Sequence, residues 1–179
     1  MTHLPRPRSA PGEPSSASDT SGTSGTAGTA GTVIVTTVAS DSHTWNLVFL
    51  QLLLEERGYR VINLGPCVPD SLLLSECLRH DPALVVVSSV NGHGHVDGLR
   101  LARTLRGHPD LATVPVVIGG KLGVSASAAE RGRQAAALLE AGFDAVFDDG
   151  QEDDLRRYLD SARPAPALTG ARSGAPGAP

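Results

Sequence analysis

The sequence has few aromatic residues, few cysteines and no long apolar run, and each shortage excludes a class of protein. Aromatic types make up 3% of the 179 residues, and two cysteines, Cys67 and Cys77, are too few for a disulfide framework. The longest apolar stretch, residues 47–54, is far shorter than the roughly 20 residues of a membrane-spanning helix. The first residues contain no apolar block of the kind typical of a secretory signal. We therefore expect a cytoplasmic protein with reduced thiols and no membrane partner.

The sequence also lacks an excess of positive charge. Fifteen Lys and Arg residues stand against nineteen Asp and Glu residues, which gives a net charge of −4 and a pI near 5.8. This is the wrong sign for a surface that binds phosphates, so nucleic acid is not an expected partner. Hydrophobic types make up 40% of the chain, which is enough for the core of one folded domain.

Glycine and proline are frequent, but most of them lie near the two ends of the chain. Residues 1–31 and 164–179 consist mainly of Gly, Ala, Ser, Thr and Pro. Such segments bury too little apolar area to offset the entropy lost on ordering. The composition therefore predicts disordered tails over 1–31 and 164–179, and a single folded domain over 32–163.

Short β-branched runs alternate with longer stretches of helical spacing inside this domain. The strands are predicted at Val33–Val38, Arg60–Leu64, Leu84–Ser88, Val114–Ile118 and Ala145–Phe147. The helices are predicted at Trp45–Arg57, Asp70–His80, Val96–Arg106, Ala126–Ala141 and Glu152–Ser161, with Asp70 capping the second and Gly142 ending the fourth. Because the strands are apolar at successive positions, helices should cover both faces of the sheet. The pattern predicts an α/β fold, a five-stranded, doubly wound parallel sheet of the flavodoxin-like (Rossmann-like) kind.

In such a sheet, ligands bind at the loops that follow the strands near the reversal of strand order. The loop after the first strand carries Asp41 and His43, two residues apart. A metal-ligating histidine commonly gives its other ring N–H to a carboxylate, which fixes its tautomer and aims the ring. Asp41 is therefore a candidate to orient His43 toward a metal. The alternative is that Asp41 or Ser42 caps the following helix and His43 is a solvated loop residue.

The loops after the third and fourth strands also have features of a binding site. Residues 88–95, SSVNGHGH, offer hydroxyls, an amide and two glycines, which suit a backbone that passes close to a polar ligand. They are not a dinucleotide fingerprint, because the third glycine is missing, and His93 and His95 are expected to be exposed loop residues. Gly119 and Gly120 remove two side chains and so leave room for a large ligand against the sheet, although a plain turn explains the pair nearly as well.

The first predicted helix is unusually apolar. Seven of the eight residues from Leu47 to Leu54 are apolar, which is more than one core-facing stripe requires. Such a helix is either buried all round within its domain or covered by another protein. Of the two alternatives, burial within the domain is the expectation.

The three loops together resemble a signature of cobalamin-binding proteins, DxHxxG…SxL…GG. Asp41-x-His43, Ser88-Ser89-Val90 and Gly119-Gly120 occur in that order, and Asn46 stands where the signature has its first glycine. Residues 32–161 resemble the small (sigma) subunits of glutamate mutase, also called methylaspartate mutase. The resemblance implies a B12-binding domain in which the cofactor tail leaves cobalt and is buried in the protein. The implied cofactor-binding residues are Ser40, Asp41, Ser42, His43, Thr44, Asn46, Ser88, Ser89, Val90, Gly92, Gly119 and Gly120.

Individual roles also follow from the resemblance. His43 would be the lower axial ligand of cobalt, and Asp41 would orient it. Ser88 and Val90 would line the cleft for the nucleotide tail, and the glycine pair at 119–120 would leave space for that tail. None of these residues is expected to act as a catalytic acid or base, because the cofactor carries the difficult chemistry.

The resemblance implies an isomerase subunit that uses adenosylcobalamin. It would interconvert L-glutamate and 3-methylaspartate by a radical mechanism, and it would be inactive without a large barrel (epsilon) subunit, with which it would form a heterotetramer. Two alternatives stay open at this point. One is a corrinoid carrier or cobalamin-sensing module without mutase activity, and the other is a flavodoxin-like module that has lost its cofactor, for which Asn46 is the best argument.

Overall fold

The structure, a computed structural model, describes residues 30–124 and 127–161. Apart from residues 30 and 31, both predicted tails lie outside the described residues. Within the described ranges, no helix has the length and apolar character needed to cross a bilayer.

Five parallel strands form one sheet with the order β2-β1-β3-β4-β5. Their bounds are Thr32–Thr37 for β1, Arg60–Asn63 for β2, Leu84–Ser89 for β3, Val116–Gly120 for β4 and Ala145–Asp148 for β5. The strand order reverses between β1 and β3, so the loops that follow these two strands meet at one edge of the sheet. The predicted flavodoxin-like sheet is confirmed.

Five α-helices cover the two faces of the sheet. They are α1 at Trp45–Glu55, α2 at Asp70–His80, α3 at Gly94–Arg106, α4 at Ala128–Ala141 and α5 at Glu152–Ser161, with a short 3₁₀ helix at Pro109–Leu111. One apolar core lies between the sheet and α1 with α5, and another lies between the sheet and α2, α3 and α4. All six residues of β3 are buried, as expected for a strand that is covered on both faces.

The observed helix ends differ in part from the predicted ones. Gly142 ends α4 with a φ of +117°, as expected for a glycine in the left-handed region. The prediction that Asp70 caps α2 is wrong, because Pro69 occupies the cap position and Asp70 is the first helical residue. The carboxylate of Asp70 instead pairs with Arg100 of α3, with an N–O distance of 2.7 Å. This contact between α2 and α3 could not be predicted from the local sequence.

Helix α1 is apolar on both its inner and its outer side. Its buried side chains include those of Leu47, Leu50, Leu53 and Leu54. On the outer side Trp45, Val48, Phe49 and Leu52 are 66%, 54%, 39% and 55% exposed. These four residues follow the spacing of one helical stripe, which we call the outer stripe of α1. The expectation that the domain itself buries this helix is therefore wrong for its outer half.

Candidate functional site

Asp41 joins the two loops that meet at the reversal of strand order. Its side chain is fully buried. Its Oδ2 accepts hydrogen bonds from the backbone N–H groups of Val90, at 2.5 Å, and Asn91, at 3.1 Å, in the loop after β3. Its Oδ1 accepts the backbone N–H of His43 at 3.0 Å. One carboxylate thus fixes the loop after β1 against the loop after β3.

The surroundings of Asp41 favour its ionised form. Burial is the largest single influence and raises the pKa of this carboxyl group, but four hydrogen bonds together outweigh it, and those from the backbone N–H groups of Val90 and His43 are the largest of the four. The ring of His43 and the N–H of Asn91 lower it as well, so that the pKa lies below the ordinary value of 3.8. Asp41 is therefore a carboxylate at neutral pH and acts only as a hydrogen-bond acceptor.

The second group held by Asp41 is the imidazole of His43. Its Nδ1 lies 2.7 Å from Asp41 Oδ1. Because an ionised carboxylate only accepts, Nδ1 carries a proton, and in the neutral form of the ring Nε2 presents a lone pair. The side chain is 47% exposed, and within the described ranges no hydrogen bond involves Nε2. Metal-ligating histidines commonly make the same contact between one ring nitrogen and a carboxylate.

This arrangement decides between the two interpretations of the loop after β1. Thr44 is the cap residue of α1, and no side chain makes a capping hydrogen bond there. Neither Asp41 nor Ser42 caps the helix, so the capping alternative is wrong. In the described part of the chain, no group of three or more His, Cys, Asp and Glu side chains is arranged to hold a metal ion.

A polar network behind Ser40 supports the same loop. The Ser40 hydroxyl donates to the carboxylate of Asp97 in the first turn of α3, and Arg100 donates to Asp97 at 2.6 Å. The Asn91 side chain donates to the Ser40 carbonyl at 2.9 Å. Sequence reasoning missed Asp97 and Arg100, and their only local signal was an acidic residue in the first turn of a helix.

An open cleft lies beside this loop, between α1 and α5 and over the carboxyl ends of β3 and β4. Its volume is about 660 Å³ when the open solvent at its surface is included. Its lining includes five of the predicted residues, Asn46, Ser88, Val90, Gly119 and Gly120. The apolar walls, which the sequence analysis did not identify, are Trp45, Phe49, Leu50, Val86, Val117, Phe147 and Leu155.

Gly119 and Gly120 were expected to follow the fourth strand, but they are the last two residues of β4, and each is glycine for a different structural reason. Gly119 lines the cleft and pairs in register with Ser88 and Phe147, and a Cβ there would lie 3.2 Å from the carbonyl oxygen of Phe147. Gly120 has a φ of +102°, and a Cβ there would lie 2.3 Å from the carbonyl oxygen of Ser89. Gly120 is therefore required by the backbone itself, before any ligand is considered.

Asn46 is part of the wall and does not fill the cleft. It is 5% exposed, and its Nδ2 donates to the hydroxyl of Ser88. Its Oδ1 is buried and has no hydrogen-bond partner among the residues that the structure describes. Trp45, the neighbouring bulky residue, points largely to solvent and leaves the cleft open.

The remaining predicted residues lie outside the cleft. Ser42 and Thr44 are exposed on the loop that carries His43. The Ser89 hydroxyl is buried and donates to Asn91 at 3.2 Å. Gly92, with a φ of +84°, packs close to Val124. The structure thus joins His43 and Val90 through Asp41. Like the residues just described, Ser40, Asp41 and His43 are not lining residues of the cleft.

An α/β sheet with an open cleft at the carboxyl ends of its strands, next to the reversal of strand order, is typical of cofactor-binding proteins. Comparison with known families makes this assignment specific. The B12 binding domain family matches residues 31–154, which is more than half of the sequence. The chain belongs to the B12-binding domain family.

Its named relatives are sigma subunits of glutamate mutase. The glutamate mutase sigma subunit 1 of Haloarcula marismortui is 34% identical over 118 residues, which cover 65% of this chain and 74% of the relative. The glutamate mutase sigma subunit of Fusobacterium nucleatum is 28% identical over 120 residues, which cover 66% of this chain and 85% of the relative. The resemblance to this group is therefore confirmed.

Solved structures support the fold. The monomethylamine corrinoid protein of Methanosarcina barkeri matches with a TM-score of 0.57 and 19% identity, over 74% of this chain and 58% of that one. The methanol:cobalamin methyltransferase complex of the same organism matches with a TM-score of 0.56 and 19% identity, over 78% of this chain and 48% of that one. A chemotaxis response regulator from Vibrio cholerae matches with a TM-score of 0.52, 14% identity and coverage of 73% and 97%. This chain spans about half of the methyltransferase chain, and these likenesses concern the fold alone.

Proposed function

We propose that this protein is the cobalamin-binding subunit of an adenosylcobalamin-dependent carbon-skeleton mutase that interconverts L-glutamate and 3-methylaspartate. The observation that carries the proposal is His43, half-exposed beside the cleft, with Nδ1 held by a buried carboxylate and Nε2 without a partner among the described residues. The names of the relatives support the choice of reaction.

The residues present fit a cobalamin. A neutral imidazole is a suitable ligand for cobalt, and the carboxylate behind it raises its basicity. The cleft beside it is open to solvent and has mostly apolar walls, as is usual for cofactor sites. The buried Asn46 Oδ1 is an acceptor that lacks a donor within the described ranges, as expected where a ligand supplies one.

In the proposed mechanism this chain positions the cofactor and leaves the reaction to it. Adenosylcobalamin, when bound, supplies a cobalt–carbon bond whose cleavage gives the radical that starts the rearrangement. His43 would hold the cobalt through Nε2, while Asp41 keeps the proton on Nδ1. The N–H groups of Val90 and Asn91 hold Asp41 in turn, so that the imidazole is aimed before the cofactor arrives. Ser88, Val90 and Gly119 would line the space for the cofactor tail.

The first test replaces His43 by alanine. Mixed with adenosylcobalamin, the native protein is expected to give the absorption spectrum of a cofactor whose tail base is off cobalt and whose lower ligand is histidine. In H43A this spectrum should be absent and the affinity should fall by at least about tenfold, because the only ligand from the protein is gone. The measurement is a spectrophotometric titration.

His80→Ala is a matched control for this test. His80 lies on α2, where it pairs with Glu76 at 3.2 Å, and its removal should leave the spectrum unchanged. A histidine-ligated spectrum that persists in H43A would refute the axial-ligand proposal. No binding of cobalamin by the native protein would refute the proposed function.

The outer stripe of α1 supports the proposal of a second subunit. Four large apolar side chains of one helix stand partly exposed to solvent, and such patches on soluble proteins commonly mark protein interfaces. The relatives are themselves named as subunits. We propose that a large barrel subunit covers the stripe and that the assembled complex, a heterotetramer, converts glutamate.

Charging the outer stripe should weaken this assembly. The double variant Val48→Lys, Leu52→Lys is expected to bind the large subunit at least about tenfold more weakly, because two cations would be buried against an apolar surface. Binding is measured by titration with the purified large subunit, and glutamate conversion is measured in the same mixtures.

Val96→Lys on α3 is the matched control, since Val96 is 66% exposed and lies on the opposite face of the sheet. Unchanged assembly in the double variant would exclude this surface as the interface. Cobalamin binding without glutamate conversion by the complex would favour the alternative, a corrinoid carrier or sensor.

A further inference from the structure

Among the lining residues of the cleft in the described ranges, Asn46 and Ser88 are the two polar residues that are buried, each 5% exposed. Around them the walls are apolar, with Phe49 and Leu50 from α1 and Val86, Val117 and Phe147 from the sheet. A site of this kind favours a flat, mostly apolar group that makes one or two directed hydrogen bonds.

The charged residues of the cleft limit what part of a ligand enters it. Asp148, Asp149 and Glu152 also line the cleft and are less buried than Asn46 and Ser88, and Asp148 pairs with Arg131 at 2.8 Å. No lysine or arginine occurs among the lining residues that the structure describes. A phosphate would meet acidic groups without a cation facing the cleft. The group that fits is therefore an uncharged heteroaromatic base.

The hydrogen-bonding state of Asn46 decides what this base should carry. Its Nδ2 already donates to Ser88 Oγ, whereas its Oδ1 is buried without a partner in the described part of the chain. A buried carbonyl oxygen without a donor is costly, and a ligand that brings a donor recovers that cost. Because the Ser88 hydroxyl also keeps a proton to donate, the pair offers one acceptor and one donor, side by side.

We infer that Asn46 is a specificity determinant for the tail base of the cobamide, and that it favours a base with an N–H donor, such as an aminopurine, over dimethylbenzimidazole. Dimethylbenzimidazole has two methyl groups and no donor to offer Asn46 Oδ1. An aminopurine has an exocyclic amino group that donates and ring nitrogens that accept. This inference rests on the proposed function, since it takes the cleft to be the site of the cofactor tail.

The test compares two cobamides that differ only in the tail base, cobalamin and its analogue with adenine. Trp45 is the one tryptophan of the chain and lines the cleft, so quenching of its fluorescence reports binding without any assay of activity. The two cobamides differ in how readily the base leaves cobalt. In each protein we therefore take the ratio of the two dissociation constants. The readout is the quotient of this ratio in the native protein and in Asn46→Ala, because the intrinsic difference between the two cobamides cancels in that quotient.

We expect this quotient to favour the adenine cobamide by about tenfold, the effect of one buried hydrogen bond. Asn63→Ala is the matched control, because Asn63 is exposed on β2 and bonds to Gln51 at 3.0 Å, outside the cleft lining. Its quotient should be about one. Asn46→Gly replaces the alanine variant if circular dichroism shows that N46A is not folded.

The outcomes separate the inference from the proposed function. Binding of both cobamides with a quotient near one, or one that favours dimethylbenzimidazole, overturns the role of Asn46 and leaves the proposed function standing. Failure of the native protein to bind either cobamide overturns both.

Discussion

Asp41→Ala is expected to destabilise the fold by about 3 kcal/mol or more and to abolish histidine-ligated cobalamin binding. The substitution removes the acceptor of three backbone N–H groups, those of His43, Val90 and Asn91. A donor left unsatisfied in a buried position costs about 1–3 kcal/mol, and solvent entering the gap recovers part of the loss. The imidazole of His43 also loses the group that fixes its tautomer. The free energy of unfolding is measured by urea denaturation and the ligation by the absorption spectrum.

The same carboxylate should make stability depend on pH at the acid end. Its pKa in the folded protein lies below the ordinary value of 3.8, so the unfolded chain takes up the proton first. The stabilisation is complete above the unfolded pKa and is lost as the pH falls through the folded pKa. Native protein should therefore lose more stability between about pH 5 and pH 3 than D41A does.

Asp153→Ala is the control for both experiments, because Asp153 is an exposed residue of α5. It should stay within about 0.5 kcal/mol of the native protein at neutral pH and keep its acid dependence. A loss in D41A no larger than that in the control would show that the bonds of Asp41 do not hold the two loops together.

Gly120→Ala is expected to cost about 3 kcal/mol of stability and to deform the end of β4. The new Cβ would lie 2.3 Å from the carbonyl oxygen of Ser89, and the φ of +102° is one that alanine rarely adopts. Strain in the left-handed region and overpacking each cost about 1–3 kcal/mol. Because Ser89 borders the loop that contacts Asp41, cobalamin binding should weaken as well. The measurement is the urea midpoint at an unchanged m value.

Gly132→Ala provides a matched comparison in α4. A Cβ at Gly132 would meet nothing within 4 Å, and alanine in a helix interior is favoured over glycine by about 1 kcal/mol. The same substitution should thus stabilise the protein at position 132 and destabilise it at position 120. If Gly120→Ala left the free energy of unfolding unchanged, the backbone at the end of β4 would relax easily. Gly120 would then not be required by the fold.

Most of the fold could be predicted from the sequence because its determinants are local. Alternating β-branched runs and helical stretches indicate a parallel sheet with helices on both faces, and Gly142 marks the end of α4 through its own backbone conformation. The prediction failed where a distant residue decides. Asp70 bonds to Arg100, 30 residues away, and does not cap its own helix. The exposed side of α1 was not predicted either. An apolar pattern indicates that a helix is buried, but it does not say whether the domain itself or another protein covers each side.

For the candidate site, the sequence by itself determined the pair Asp41 and His43, because the two residues lie on one short loop and reach each other without help from the rest of the chain. Only the tertiary structure decided that Asp41 accepts the N–H of Val90, 49 residues away, and that Asn46 bonds to Ser88. The physical reason is that these contacts exist only once β1 and β3 are neighbours in the sheet. Pairing of strands sets such distances, and no local pattern of residues encodes them.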